Sequence, residues 1–314
     1  VATGSKPVEL PNLKFNGSTI ISSDGAIYAE KLPTSLIVVG GGIIGCETAM
    51  LYASLGVSVT IIELMPTILP MLDAEILEHF NRALRRLKVK VFTGTKVVET
   101  REDSAAMTAV MDNGKEATAE KCLVAVGRRA RLEDNGIFEL GLAPNGRVVE
   151  VDDGCATKQK GIWAVGDVTG KWMLAHSAYL MGEVAAENAL GGNASIAHAV
   201  IPNAVFTHPE IGSVGLTEVQ AKEKYGEITI GRYAYRPLAR AQASGQMDGI
   251  FKIIAEAATH KVVGVHIIGA CASDLVAAGG LAVQNGLTYE QIAHTVHAHP
   301  TFSEGFHEAG AVMA

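Results

Sequence analysis

The chain has 314 residues, 48% of them apolar and 19% charged, which is material for a large core and excludes disorder as the main state. Its 26 basic and 33 acidic residues leave a net charge of −7, which excludes a binder of nucleic acid or anionic membrane that works by overall charge. At about 150 residues per domain the length predicts two or three domains. The longest apolar stretch, residues 36–46, is too short to span a bilayer and is broken by glycines, so neither nucleic acid nor membrane is expected as a partner. Cys46, Cys122, Cys155 and Cys271 are too scattered for a disulfide framework or a zinc site and read as reduced thiols.

Residues 1–34, with Pro7, Pro11 and Pro33, read as strand ends and connections. From Ser35 the texture changes. Residues 36–39 form a continuous β-branched run, predicting a buried parallel strand. A glycine turn over 40–45 leads into an apolar helix over 46–55, which Gly56 ends. A second strand follows over 57–63. An amphipathic helix over 73–87 carries Ile76, Phe80, Leu84 and Leu87 on one face, and a third strand takes 88–92. This βαβαβ order predicts a doubly wound, Rossmann-type parallel sheet. Asp112-Asn113-Gly114 predicts a hairpin turn between 107–111 and 116–118. Residues 122–126 and 161–165 read as short strands, and 174–190 as a helix closed by Gly191-Gly192. Past Pro202 the pattern changes again. Thr217-Glu218-Val219-Gln220 reads as a capping box. Stretches near 226–235, 250–255 and 262–268 predict an antiparallel sheet, and 272–285 an apolar helix. Thr288, and Pro300 at a first-turn position, predict the starts of two more helices. The fold class is therefore α/β, followed by an α+β C-terminal region.

Three places carry chemistry. Gly40-Gly41-Gly42-Ile43-Ile44-Gly45 follows a predicted strand and opens a predicted helix, and Glu63 ends the next strand 18 residues after Gly45. Gly40 permits the tight turn, Gly42 lets backbone approach a pyrophosphate, and Gly45 lets helix and strand pack closely, while the helix start favours phosphate charge. Glu63 can accept both ribose hydroxyls of NAD and repels a 2′-phosphate, so the reading is NAD and not NADP. Glu47 is either a favourable first-turn charge or a group that projects into the site. The second place is Asp167, after Gly166 at the end of residues 161–165: either a partner for a ligand hydroxyl or a turn or cap Asp. The third is His297-Ala298-His299-Pro300-Thr301-Phe302-Ser303-Glu304. An imidazole with a carboxylate in reach is a general-base arrangement, and a His near a helix start is also a common cap. His294, His297, His299 and His307 cluster, but Ala311 stands where zincin spacing needs a second His and no carboxylate completes a triad, so no metal is expected.

Together these residues resemble the pyridine nucleotide–disulfide oxidoreductases, over the whole chain and closest to the members that oxidise dihydrolipoamide. The resemblance rests on Ala2-Thr3-Gly4-Ser5, the glycine turn through Cys46 and Glu47, Glu63, Val126-Gly127-Arg128-Arg129, Trp163 to Asp167, Met173-Leu174-Ala175-His176, Thr207-His208-Pro209-Glu210 and the segment His297 to Glu304. It implies that Thr3, Gly4, Ser5, Asp167 and Met173, Leu174, Ala175 and His176 line FAD. It implies that Gly40, Gly41, Gly42, Ile43, Ile44, Gly45, Cys46, Glu47, Glu63, Val97 and Gly127 hold NAD, with Glu47 near the nicotinamide. His299 would deprotonate a dihydrolipoyl thiol and Glu304 would orient it, a step suited to a base near neutral pKa.

The resemblance further implies a homodimer whose C-terminal region forms the interface, with residues 272–285 in it, and lipoyl domains of 2-oxoacid dehydrogenase complexes as partners. The domains it implies are 1–26 and 129–198 from the FAD domain, 27–128 for NAD and 199–314 for dimerisation. One departure stands out. The family's first FAD fingerprint and its Cys-x-x-x-x-Cys redox pair are not in this sequence, since none of the four cysteines lies within five residues of another. The chain is therefore expected to be a C-terminal portion, inactive by itself in the overall reaction. A sister disulfide reductase and a non-catalytic NAD-binding dimerisation module are the alternatives. The resemblance leaves a mitochondrial matrix and a bacterial cytoplasm undecided.

Overall fold

A computed structural model describes residues 1–103, 106–133 and 136–314. They form two compact units: Val1–Pro11 with Val126–Ala199, and Asn12–Ala125 with Val200–Ala314.

The larger unit contains the expected parallel sheet, in the order Ile20–Ile21, Lys121–Val124, Ser35–Val39, Ser58–Ile62, Lys90–Phe92. Ser35–Val39 lies at its centre, with Leu36, Ile37 and Val38 wholly buried. A strand covered on both faces needs this unbroken apolar run. The helix Ile43–Ser54 makes the first crossover and Ala74–Arg86 the second. Asp73 caps the second helix by accepting the Glu75 N–H, its last turn carries Arg85 and Arg86, and its Ile76, Phe80 and Leu84 enter the core. The first helix starts three residues before the expected Cys46, because Gly42 takes the N-cap position with an extended backbone. A run of glycines reads as a turn and hides that first helical turn.

A small antiparallel sheet, Val97–Glu102, Met107–Met111 and Glu116–Ala119, stands beside it, with Gly114 at a φ of +78° in the expected hairpin. The antiparallel sheet of the C-terminal half runs in the order Asn203–Val205, Glu210–Gly215, Val262–Gly269, Ile250–Glu256, Ile228–Ala234. The helix Ala272–Gln284 packs on Glu210–Gly215 and Val262–Gly269. It approaches so closely that a Cβ on Gly212 would lie 2.3 Å from the Ala272 carbonyl oxygen. Tyr235 stacks on Phe251 of the strand Ile250–Glu256 with ring centres 5.0 Å apart, and Phe306 meets the same ring edge-on at 5.3 Å. The capping boxes at Thr217 and Thr288 start the helices Glu218–Tyr225 and Tyr289–His294. One expectation is corrected here. Pro300 does not begin a helix: the last helix is Glu304–Ala311, with Ser303 as its N-cap. Proline's fixed φ serves a first helical turn and an irregular bend equally well, and here it sits in the bend.

In the smaller unit Ser5–Pro7 pairs antiparallel with Arg128–Ala130. The helix Ala175–Ala189 runs between Leu174 and Leu190, as expected. The predicted strand over 161–165 is corrected: Trp163 makes only an isolated bridge with Ala156, and the chain passes at once into the 3-10 turn Gly166–Thr169. Its apolar run is explained by packing, since Ala164 and Val168 join the core of Leu132, Ile137 and Val149. Among the described residues no helix is long and apolar enough to cross a membrane.

Candidate functional site

The glycine turn is built as its spacing demands. Gly40 has a φ of +109° and donates its N–H to the Ile62 carbonyl at 2.9 Å, which ties the turn to the neighbouring strand. A Cβ on Gly45 would lie 1.9 Å from the Gly40 carbonyl oxygen, so helix and strand meet there backbone to backbone. A Cβ on Gly42 would meet nothing within 4 Å. The turn is thus closed beneath Gly45 and open above Gly42, at the start of a helix with no side-chain cap. That combination fits a pyrophosphate lying over backbone amides.

Glu63 faces this turn. Its Oε2 accepts the Gly41 N–H at 2.5 Å and its Oε1 accepts the Met65 N–H at 2.6 Å. Two backbone donors fix the carboxylate's orientation and leave it lone pairs for two more donors, such as the hydroxyls of a ribose. Ile43 and Ile44 form the helix start beside it. Cys46 is wholly buried; its thiol donates to the Gly41 carbonyl at 3.3 Å, and burial, then the charges of Glu63 and Glu47, push it up to about 12. It supports the turn from below. Glu47 projects from the same helix and accepts the Phe206 N–H at 2.7 Å, with burial raising its carboxyl above the usual range. Val97 lies apart from these contacts: its side chain is buried in the small sheet and its carbonyl accepts from Asn12 at 3.2 Å.

In the smaller unit two expected groups far apart in sequence meet. The Ser5 hydroxyl donates to Asp167 Oδ2 at 2.5 Å and accepts from Arg128 Nε at 2.7 Å, while Arg128 Nη2 donates to the Ser5 carbonyl at 3.0 Å. Asp167 does not cap its own turn, so the turn-cap alternative does not account for its carboxylate. Thr3 donates to the Arg131 carbonyl at 2.6 Å, and Gly4 has a φ of +73° with open space where a Cβ would stand. Met173, Ala175 and His176 are exposed around the start of Ala175–Ala189, where Leu174 provides no side-chain cap. Polar hydroxyl-binding groups and an uncapped helix start fit the chain and phosphates of FAD. Gly127 belongs to this unit, with a φ of +122° and its carbonyl accepting the Val8 N–H at 3.1 Å.

His299 and Glu304 form the third group. His299 Nδ1 lies 2.8 Å from Glu304 Oε1, and Oε2 accepts the Thr301 N–H at 2.9 Å. The hydrogen bond from His299, then that from Thr301, hold the Glu304 carboxyl below its usual range. A carboxylate on Nδ1 places the proton there and leaves Nε2 as the acceptor. The imidazole is 69% exposed. His297, two residues earlier, stacks on Phe306, and its buried Nε2 has no hydrogen-bond partner. His307 Nδ1 lies 2.6 Å from the Ala293 carbonyl oxygen. Among the described residues no group of three His, Cys, Asp or Glu side chains is arranged around a cation.

Two features escaped the sequence reading. One is the buried Lys252 with Asp73, Glu75 and Glu218; a lysine inside the apolar run 250–255 was its visible signal. The other is Phe206, held by Glu47, for which the sequence gives no local sign.

Comparisons with known proteins identify the family. The model of the pyridine nucleotide-disulphide oxidoreductases matches residues 1–182, and the model of their dimerisation domain matches residues 201–310. The chain is 36% identical over 315 residues to a dihydrolipoyl dehydrogenase of Bacillus subtilis, covering 98% of this chain and 66% of that one. It is 38% identical over 309 residues to the dihydrolipoyl dehydrogenase of Pseudomonas aeruginosa, with the same coverages of 98% and 66%. The chain thus spans just under two thirds of the length of these relatives. Among solved structures, LpdA from Mycobacterium tuberculosis superposes with a TM-score of 0.93 at 28% identity, covering 100% of this chain and 69% of that one. The HOCl-induced flavoprotein disulfide reductase RclA from Escherichia coli superposes with a TM-score of 0.93 at 25% identity, covering 99% and 72%.

Proposed function

The chain belongs to the pyridine nucleotide-disulphide oxidoreductase family, and from that premise we propose that its activity is the NAD+-dependent oxidation of protein-bound dihydrolipoamide. The observation that carries the nucleotide half of this reading is the Glu63 carboxylate seated on the Gly41 N–H beside the open backbone of Gly42. An acidic group there accepts ribose hydroxyls and repels a 2′-phosphate, which favours NAD over NADP. Gly40 to Cys46 form the floor of the phosphate site, and Glu47 lies farther along its wall. Val97 remains part of the proposed NAD site, and Thr3 to Ser5, Asp167 and Met173 to His176 would hold FAD. The domain division at 1–26, 27–128, 129–198 and 199–314 belongs to the same proposal.

Oxidising a dithiol to a disulfide releases two electrons and two protons; NAD+ takes a hydride and one proton leaves. Bound FAD supplies the two-electron relay between a disulfide and the nicotinamide. The chain's own contribution is the base. His299 Nε2 takes the thiol proton, because Glu304 fixes the Nδ1–H tautomer and stabilises the imidazolium that forms. The thiolate is then the nucleophile that attacks a disulfide. Cys46, Cys122 and Cys155 are buried and free, and Cys271 stands alone at a helix start, so none of these four is assigned that disulfide role.

The dimerisation-domain match over 201–310 supports a homodimer. Lipoyl domains are the proposed macromolecular partners, through the dithiol that His299 would deprotonate. The test is a dihydrolipoamide:NAD+ assay on the full-length protein, with NADP+ and a small disulfide as controls. Turnover with dihydrolipoamide and NAD+ supports the proposal. Turnover confined to NADPH and a small disulfide replaces it with the sister reductase activity.

A further inference from the structure

The two-stranded pairing of the smaller unit sets Ser5 opposite Ala130 and Pro7 opposite Arg128. Paired residues and their alternate neighbours share a face, so Ser5, Ala130 and Arg128 lie on one side of the pairing. Ala130 is too short to reach the Ser5 hydroxyl. Arg128 reaches it along the diagonal: its Nε donates to Ser5 Oγ at 2.7 Å and its Nη2 to the Ser5 carbonyl at 3.0 Å. One guanidinium therefore holds both the side chain and the main chain of a single serine.

The consequence lies in the direction of the hydroxyl proton. A serine hydroxyl has one proton to give, and a guanidinium always donates and never accepts. With Arg128 Nε on its lone pair, the Ser5 hydroxyl gives its proton to Asp167 Oδ2, at 2.5 Å. Oδ2 is thereby engaged, and Oδ1 is left to an incoming ligand hydroxyl. The turn that carries Asp167 is itself fixed. Val168 and Thr169 are buried in it, and the Thr169 hydroxyl donates to the Gly166 carbonyl at 2.8 Å. A rigid turn on one side and a clamped serine on the other hold the carboxylate in one orientation.

We propose that Arg128 is a positioning residue of the flavin site: it sets the Ser5 hydroxyl, and through it the Asp167 carboxylate, to receive a hydroxyl of the FAD ribitol chain. This rests on the FAD reading of Asp167 and adds the residue that acts on it through Ser5. The cation behind the hydroxyl also polarises it, which strengthens its bond to the carboxylate.

The test is a double-mutant cycle read by FAD binding. FAD is titrated into the flavin-stripped full-length protein and into its R128M, S5A and R128M/S5A variants, and flavin fluorescence reports the dissociation constant. R128M and S5A are each expected to weaken FAD by about tenfold, the loss of one charge-assisted hydrogen bond. Because Arg128 acts through Ser5, the double variant should also lose about tenfold, where independent roles would multiply to about a hundredfold. R128K, which keeps the charge and one donor, should bind FAD more tightly than R128M. Losses that multiply in the double variant, or an R128M protein that binds FAD like the unaltered one, overturn the proposal. A loss in D167A with none in R128M rejects the role of Arg128 and leaves the FAD reading standing. If the unaltered protein takes up no FAD, that reading falls, and the proposal with it.

Discussion

Lys252 Nζ lies 2.7 Å from Asp73 Oδ1, with the two side chains 2% and 1% exposed. Asp73 Oδ1 also caps the helix Ala74–Arg86 through the Glu75 N–H, while its Oδ2 accepts the Glu218 N–H at the start of Glu218–Tyr225. The ammonium completes its set with Glu218 Oε2 at 2.8 Å and Glu75 Oε2 at 3.2 Å. One carboxylate therefore joins two helix starts to a buried cation, and it fastens the parallel-sheet region to the antiparallel sheet within the larger unit.

Lys252→Met should destabilise the larger unit by about 3–5 kcal/mol, because Asp73 is left buried and charged without its partner. Replacing both, as K252M with D73N, should recover part of that loss. Urea unfolding of the two variants measures it. A loss under about 1 kcal/mol for K252M would mean that water reaches the pair.

The same network fixes the sign of a pH dependence. Burial pushes the Asp73 carboxyl up, but hydrogen bonds from Lys252 and the Glu218 N–H outweigh it and hold the carboxyl below its usual range. Its stabilisation is present above the unfolded carboxylate pKa and is lost as pH falls through the lowered folded value. Burial pulls the Lys252 ammonium down, but its bonds to Asp73 and Glu218 overcome this and raise it. That contribution is present below the unfolded lysine pKa and disappears as pH rises through the raised folded value. Stability should therefore be flat across neutral pH and fall at both extremes. In K252M the alkaline fall attributable to this lysine should vanish, which thermal melts across pH will reveal.

Gly42 and Gly45 should separate binding from folding. Gly42→Ala places its Cβ where nothing lies within 4 Å, so the melting temperature should stay nearly unchanged while NAD+ affinity drops. Gly45→Ala drives its Cβ to 1.9 Å from the Gly40 carbonyl, so it should destabilise by about 1–3 kcal/mol. A G42A variant that binds NAD+ like the unaltered protein would remove the turn from the coenzyme site.

His299→Gln in the full-length protein should slow dihydrolipoamide oxidation by about 10²–10⁴-fold and leave NAD+ affinity intact. Glu304→Gln should cost less, since the imidazole remains but loses the carboxylate on Nδ1. Stopped-flow reduction by dihydrolipoamide separates the two effects. Unchanged reduction in H299Q would exclude the base assignment.

Legibility differed from place to place for physical reasons. The parallel strands and the helix Ala74–Arg86 were readable because burial on both faces demands continuous β-branched runs and burial on one face demands a 3.6-residue period. The Gly40 to Gly45 turn was readable because each glycine answers a separate steric need. Only the resemblance put Ser5 and Asp167 at one site, and their hydrogen bond came from the structure alone, since nothing local ties residues so distant in the chain. Residues 161–165 were misjudged because a short apolar run looks the same in a strand and in a buried loop. Lys252 shows the reverse: one charge in an apolar strand marks a buried partner whose identity only tertiary structure supplies.

The central claim is that the glycine turn and Glu63 together select NAD. Equilibrium titration of the protein with NAD+ and NADP+ tests it most directly. NAD+ should saturate one site per chain and NADP+ should bind at least about tenfold more weakly, with the difference shrinking in E63A. Tighter binding of NADP+, or no binding of either coenzyme, would contradict the account.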